Sequence, residues 1–157
     1  AASVRFHSRE WMADALEKLP RMAANLPRSV ILGDTHLGNL YVDRDGTPGF
    51  FDPQPLLAPP MVEVAYHIAG ALDTADRQRW ERSLVQHYLD ELGRNGATAP
   101  DFDEAMRQYA AFLVQGYCIF LVNATDFQTE AINTVYTARF SAAMLENDTL
   151  GVLAEFR

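Results

Sequence analysis

The chain has 157 residues, 48% of them apolar and 11% aromatic, and a formal charge of −8 from 21 acidic and 13 basic side chains. Length and composition support one packed domain and exclude general disorder. The acidic balance argues against nucleic acid or anionic lipid as a partner, since both ask for a basic face. Cys118 is the only cysteine, and no signal-peptide start or bilayer-long apolar run is visible. A protein of the cytoplasm, with no membrane partner, is therefore expected.

Residues 3–19 set Val4, Trp11, Met12, Ala15 and Leu19 near a helical period and predict a first helix. Pro20 and Pro27 then bracket a connection. Ser29–Leu32 reads as a buried strand, and Asn39–Val42 and Pro48–Phe51 as two more. The last two are joined through Asp43-Arg44-Asp45-Gly46, whose Asp-Gly pair signals a hairpin turn. Pro53, Pro55, Pro59 and Pro60 predict an irregular loop.

Helices fill the remainder. Met61, Val64, Ala65, Ile68 and Leu72 form one apolar stripe. Asp73 or Thr74 caps a second helix, with Trp80, Leu84, Tyr88 and Leu92 as its expected buried face and Gly93 and Gly96 at its end. Asp101 with Glu104 makes a capping box for a third helix through Val122, in which Phe112, Tyr117, Cys118 and Phe120 read as core. A fourth covers Glu130–Glu146, with a short helical tail towards Phe156. The expected class is α+β, mostly helical, in one domain over 1–157, with a small β-hairpin near its start.

Chemistry concentrates between Val30 and Asp52. One strand runs into Gly33-Asp34-Thr35-His36-Leu37-Gly38-Asn39, a second strand follows at once, and the hairpin ends in Phe50-Phe51-Asp52. Two acids and an amide are thus delivered to the ends of short strands. That set suits phosphoryl transfer: the first acid accepts a hydroxyl proton, while the amide oxygen and the second carboxylate hold magnesium against phosphates. Magnesium asks for few, hard oxygen ligands, and Gly33 lets the loop turn tightly.

This segment resembles the catalytic loop of the aminoglycoside phosphotransferase and choline kinase-like family, roughly H-G-D-x-H-x-x-N followed by an acid-aromatic pair after a hairpin. Every fixed loop position is present except the first, where Leu32 stands for histidine; Pro53 stands for the aromatic. The Asp-to-Asn spacing is also that of the protein-kinase catalytic loop. The resemblance implies a protein kinase-like C-terminal lobe, with Asp34 as catalytic base and Asn39 and Asp52 as magnesium ligands. His36 would orient the loop or touch substrate, and Glu63 occupies roughly the place of the family's aspartate that braces the loop from the following helix. Gln54 faces the site or caps a turn. ATP and Mg2+ are implied as co-substrate and cofactor, with a small-molecule hydroxyl as acceptor.

The chain has no G-x-G-x-x-G or Walker A string, and Lys18 is its only lysine. The N-terminal nucleotide lobe is therefore expected to be absent here and to act as a partner, leaving the isolated chain inactive. Two alternatives stand beside this reading. A non-catalytic kinase-like binding module would accommodate Leu32, Pro53 and Glu63. A metallophosphoesterase would share Gly33-Asp34-Thr35-His36 but needs further histidine ligands, and only His67 and His87 follow, each in a predicted helix and read as packed or surface residues.

Overall fold

A computed structural model describes residues 4–156, so the start of the predicted first helix at residue 3 lies outside the described residues. A 3-10 turn over Val4–His7 leads into α1, Arg9–Ala24, whose cap Ser8 accepts a hydrogen bond from the Trp11 amide. The expected stop at Pro20 is not observed. Pro20 lies on the exposed side, and burial of Leu19 and Met22 on either side of it offsets the one helical hydrogen bond a proline forfeits.

Two small antiparallel ribbons follow. β1, Ser29–Ile31, pairs with β4, Leu56–Ala58, in the register Ser29↔Ala58 and Ile31↔Leu56. β2, Leu40–Val42, pairs with β3, Pro48–Phe50, in the register Leu40↔Phe50 and Val42↔Pro48. The hairpin is the expected one, with Gly46 at φ +87° in its turn. The other ribbon corrects two expectations. Its fourth strand lies within the proline-rich segment, because Pro55 and Pro59 flank β4 and remove no ladder donor from it. β1 is also not buried: Val30 is 74% exposed, and only Ile31 turns inward.

The helical body comprises α2 (Pro60–Ala71), α3 (Thr74–Arg94), α4 (Phe102–Val122), α5 (Glu130–Glu146) and α6 (Thr149–Glu155). α4 is the central element and packs against α1, α2, α3, α5 and α6. Asp101 caps it by accepting from the Glu104 amide, as the capping box predicts. Close approach of α5 requires Gly116, since a β-carbon there would lie 2.3 Å from the Phe140 ring. Cys118 is half-buried on α4, and burial pushes its thiol up to about 11. Among the described residues no helix is long and apolar enough to cross a membrane.

α3 turns a different face inward from the one predicted. Trp80 and Leu84 are partly exposed, whereas Arg77, Glu81, Val85 and Leu89 are buried. Arg77, at 1% exposure, donates to Glu81 at 2.6 Å and to Glu146 of α5, and the Tyr109 hydroxyl donates to Glu81 at 3.2 Å. Burial opposes the Arg77 charge, but its hydrogen bonds to Glu146 and Glu81 outweigh that and hold the guanidinium above its ordinary value. A buried guanidinium that donates to two carboxylates can thus occupy a stripe that hydrophobic spacing assigns to solvent.

Candidate functional site

The segment between β1 and β2 is held from behind by one face of α2. Glu63 accepts from the Leu32 amide through Oε2 and from the Gly33 amide through Oε1, both at 2.8 Å. Four residues on, His67 donates from Nδ1 to the Thr35 carbonyl at 2.7 Å, which fixes the proton on that nitrogen. Its ring also meets Phe50 of β3 edge-on, 5.6 Å between centroids. Between them Tyr66 lies beside Asp34. Burial, then the Asp34 charge, pushes the Tyr66 phenol above its ordinary range, so it stays protonated. Residues three and four apart share a helix face, and here that face grips three successive parts of the loop.

The loop itself brings Asp34, His36 and Asn39 together. Asn39 is buried, and its Nδ2 donates to the Asp34 carbonyl at 2.9 Å and to Asp34 Oδ2 at 3.3 Å. With the nitrogen so committed, the amide oxygen is the atom left for a cation. His36 accepts from the Gly38 amide at Nδ1, 2.9 Å, so the neutral ring carries its proton on Nε2, which lies 3.7 Å from Asp34 Oδ2. The histidine therefore orders the loop and faces the acid at once.

Asp52 is fixed by backbone ties on both sides. The Phe51 amide donates to the Asn39 carbonyl at 3.0 Å, and the Gln54 amide donates to the Leu32 carbonyl at 2.8 Å. Gly33, at φ +92°, sits so close to this strap that a β-carbon would lie 2.1 Å from the Gln54 oxygen. Asp52 itself adopts φ +52°, a left-handed conformation that short polar residues tolerate best. Gln54 contributes through its backbone, and its side chain is exposed. Glu63 braces the loop with both oxygens despite its extra methylene, and the amide of Leu32, which stands in for the histidine, is one of the two groups it holds.

Tyr66 and His67 are the site residues that sequence reasoning misses. Their signal was available: they follow Glu63 at the spacing that puts them on its face. His87 is exposed on α3, apart from the loop. No group of three or more His, Cys, Asp or Glu able to hold a metal occurs among the described residues. A binuclear phosphoesterase centre thus lacks its ligands here. Magnesium takes most of its ligands from water and phosphate, and the oxygens that could supply the rest are Asn39 Oδ1 and the Asp52 carboxylate.

Two clefts adjoin the loop, one at Asp34 and one at His36. One, of about 100 Å³, is bounded by Asp34, Tyr66, Gln115 and Ile119. The other, of about 360 Å³, lies against His36 and Leu37 on one side and α4 and α5 on the other. A larger cavity of about 510 Å³ sits behind the loop, where Leu84 and Tyr88 of α3 face Thr35 and His67.

The sequence model of the phosphotransferase enzyme family matches residues 2–113, from the start of the chain into α4. No curated protein and no solved structure matches the chain.

Proposed function

Because the chain belongs to the phosphotransferase enzyme family, we propose that its 32–54 segment transfers the γ-phosphate of ATP to the hydroxyl of a small molecule. The observation that carries this is the joining of Asp34 to Asn39 through the Asn39 side chain, with the Asp52 strap tied to the same loop. Asp34 accepts the acceptor's hydroxyl proton as that oxygen bonds to the γ-phosphorus and the bond to the ADP oxygen breaks. Nε2–H of His36 faces the carboxylate and orients it. Glu63, Tyr66 and His67 are positioning residues that hold the loop backbone. Asn39 Oδ1 and the Asp52 carboxylate would hold magnesium, which would supply positive charge to offset that of the phosphates.

The architecture supports assignment as the catalytic, C-terminal lobe of a kinase-like protein. A glycine-rich phosphate loop and a strand lysine are not among these residues. We assign them to a second lobe, contributed by a segment outside the 157 residues, so the isolated chain binds nucleotide weakly.

The test is label transfer from γ-labelled ATP by the complete protein, followed against magnesium concentration. A chelator should bring transfer to background. In Asp52→Asn the magnesium needed for half-maximal rate should rise by about tenfold or more, the scale of damaged metal sites. An unchanged magnesium requirement in that variant would remove Asp52 from the site.

A further inference from the structure

The smaller cleft is lined by Asp34 and the larger by His36, whose Nε2 lies 3.7 Å from Asp34 Oδ2. Both open along the C-terminal turns of α4, and their walls have one chemistry. Phe120, Ile132, Tyr136 and Leu37 line the larger, with Gln128 and His36 as its polar members. Ile119 and Tyr66 line the smaller, with Gln115. Tyr66 stacks on Phe120 at 6.0 Å and 11°, and Phe120 on Tyr136 at 4.1 Å and 19°, a continuous aromatic wall beside the loop. Ile132, in the wall of the larger cleft, is 39% exposed, and Val122 and Phe127, near Phe120 and Gln128 in sequence, are each 79% exposed.

Charge on these walls is correspondingly scarce. The carboxylates among the lining residues are Asp34 and Glu63, and both Glu63 oxygens are already taken by the Leu32 and Gly33 amides. That leaves Asp34, which the transfer reaction itself uses. Asp126 and Glu130 are exposed near Gln128 but line neither cleft, and Glu130 stands in the first turn of α5, where the helix dipole favours it. A polycationic sugar would bring several ammonium groups against apolar walls with no partners, which is costly. An apolar alcohol brings one polar group, the hydroxyl that Asp34 accepts from.

We propose that the phosphate acceptor is an uncharged, largely apolar alcohol, with a hydrocarbon or flat-ring body lying between α4, α5 and the loop. This rests on the phosphotransferase reading above. A volume of about 360 Å³ is in the range of sites for small organic ligands.

The experiment compares naphthylethanol and decanol with kanamycin as acceptors for the complete protein, and separately titrates naphthylethanol binding by its fluorescence. Transfer to the apolar alcohols should exceed transfer to kanamycin by about tenfold or more in kcat/KM. Ile132→Glu, at a partly exposed position that leaves the core intact, should raise KM for the alcohols by about tenfold or more, with the loss falling on KM rather than kcat. Binding should survive Asp34→Asn and be lost in Ile132→Glu. Preference for kanamycin overturns the acceptor class while leaving the phosphotransferase reading in place. Absence of transfer to any acceptor overturns that reading, and the binding titration then decides the groove alone: saturable binding abolished by Ile132→Glu upholds it, and absent or unaffected binding overturns it.

Discussion

Asp34→Asn should lower kcat by about a hundredfold to ten-thousandfold, the range over which a positioned general base contributes. The substitution keeps the size and shape of the side chain. Asn39 Nδ2 retains its 2.9 Å bond to the Asp34 carbonyl, so the loop should hold its form. What disappears is the group that accepts a proton from the incoming hydroxyl. Nucleotide affinity, measured by calorimetry on the same variant, should stay close to that of the parent, because the proposed metal ligands are Asn39 and Asp52. Such a loss in kcat with binding preserved separates removal of the base from collapse of the site. Full turnover by Asp34→Asn would take the proposed role from this residue.

Glu63→Ala should act on both stability and rate. Its carboxylate is the acceptor for two consecutive amides at 2.8 Å, and alanine leaves both without a protein partner. Hydrogen bonds to a charged group contribute about 1.5–3 kcal/mol each when well shielded. Glu63 is only half-buried, and water can replace part of what is lost, so about 2 kcal/mol in all is expected, read from urea unfolding. For a chain of this size that corresponds to a Tm lower by roughly 4–8 °C. Turnover should fall by about a hundredfold, because the amides that Glu63 holds immediately precede Asp34 and small displacements of a reacting group are costly. Glu63→Gln keeps one acceptor oxygen and should lie between parent and alanine in both readouts. A Glu63→Ala protein with parental turnover would show that the loop holds its geometry without the brace.

Local signals carried much of this structure. The Asp-Gly turn, the Asp101–Glu104 cap and the span of α5 are visible because each depends on residues within a few positions of one another. Asp34 and Asn39 were legible for the same reason, being joined across five residues of one loop. The failures share the opposite property. β4 exists because β1 pairs with it from across the hairpin, and no local pattern of prolines reveals that. α3 buries Arg77 because Glu146 meets it from 69 positions away, so apolar spacing alone selects the wrong face. Pro20 stays helical because Leu19 and Met22 find the core, a gain that propensity ignores. His67 looked like an ordinary helical histidine until its contact with Thr35, 32 positions earlier, gave it a role. The side chain of Gln54 attracted notice by its place beside Asp52, yet its backbone is what fastens the strap.

These contacts also explain how the departures at Leu32 and Pro53 fit the loop. Leu32 contributes an amide to Glu63 and a carbonyl to Gln54, two backbone roles that do not depend on its side chain. Pro53 lies between the Phe51 and Gln54 ties, where its missing N–H removes no bond that the strap uses. The loop is thus held by α2 and by the strap.

Phosphorus NMR of the complete protein with magnesium, ATP and an alcohol acceptor tests the central claim most directly, since it follows the transferred phosphorus itself. The account predicts that the γ-phosphate signal gives way to a phosphate monoester of the acceptor as ADP forms in equal amount, and that Asp34→Asn abolishes the change. ATP left intact by the parent protein, or converted only to ADP and inorganic phosphate in the presence of every acceptor, would contradict it.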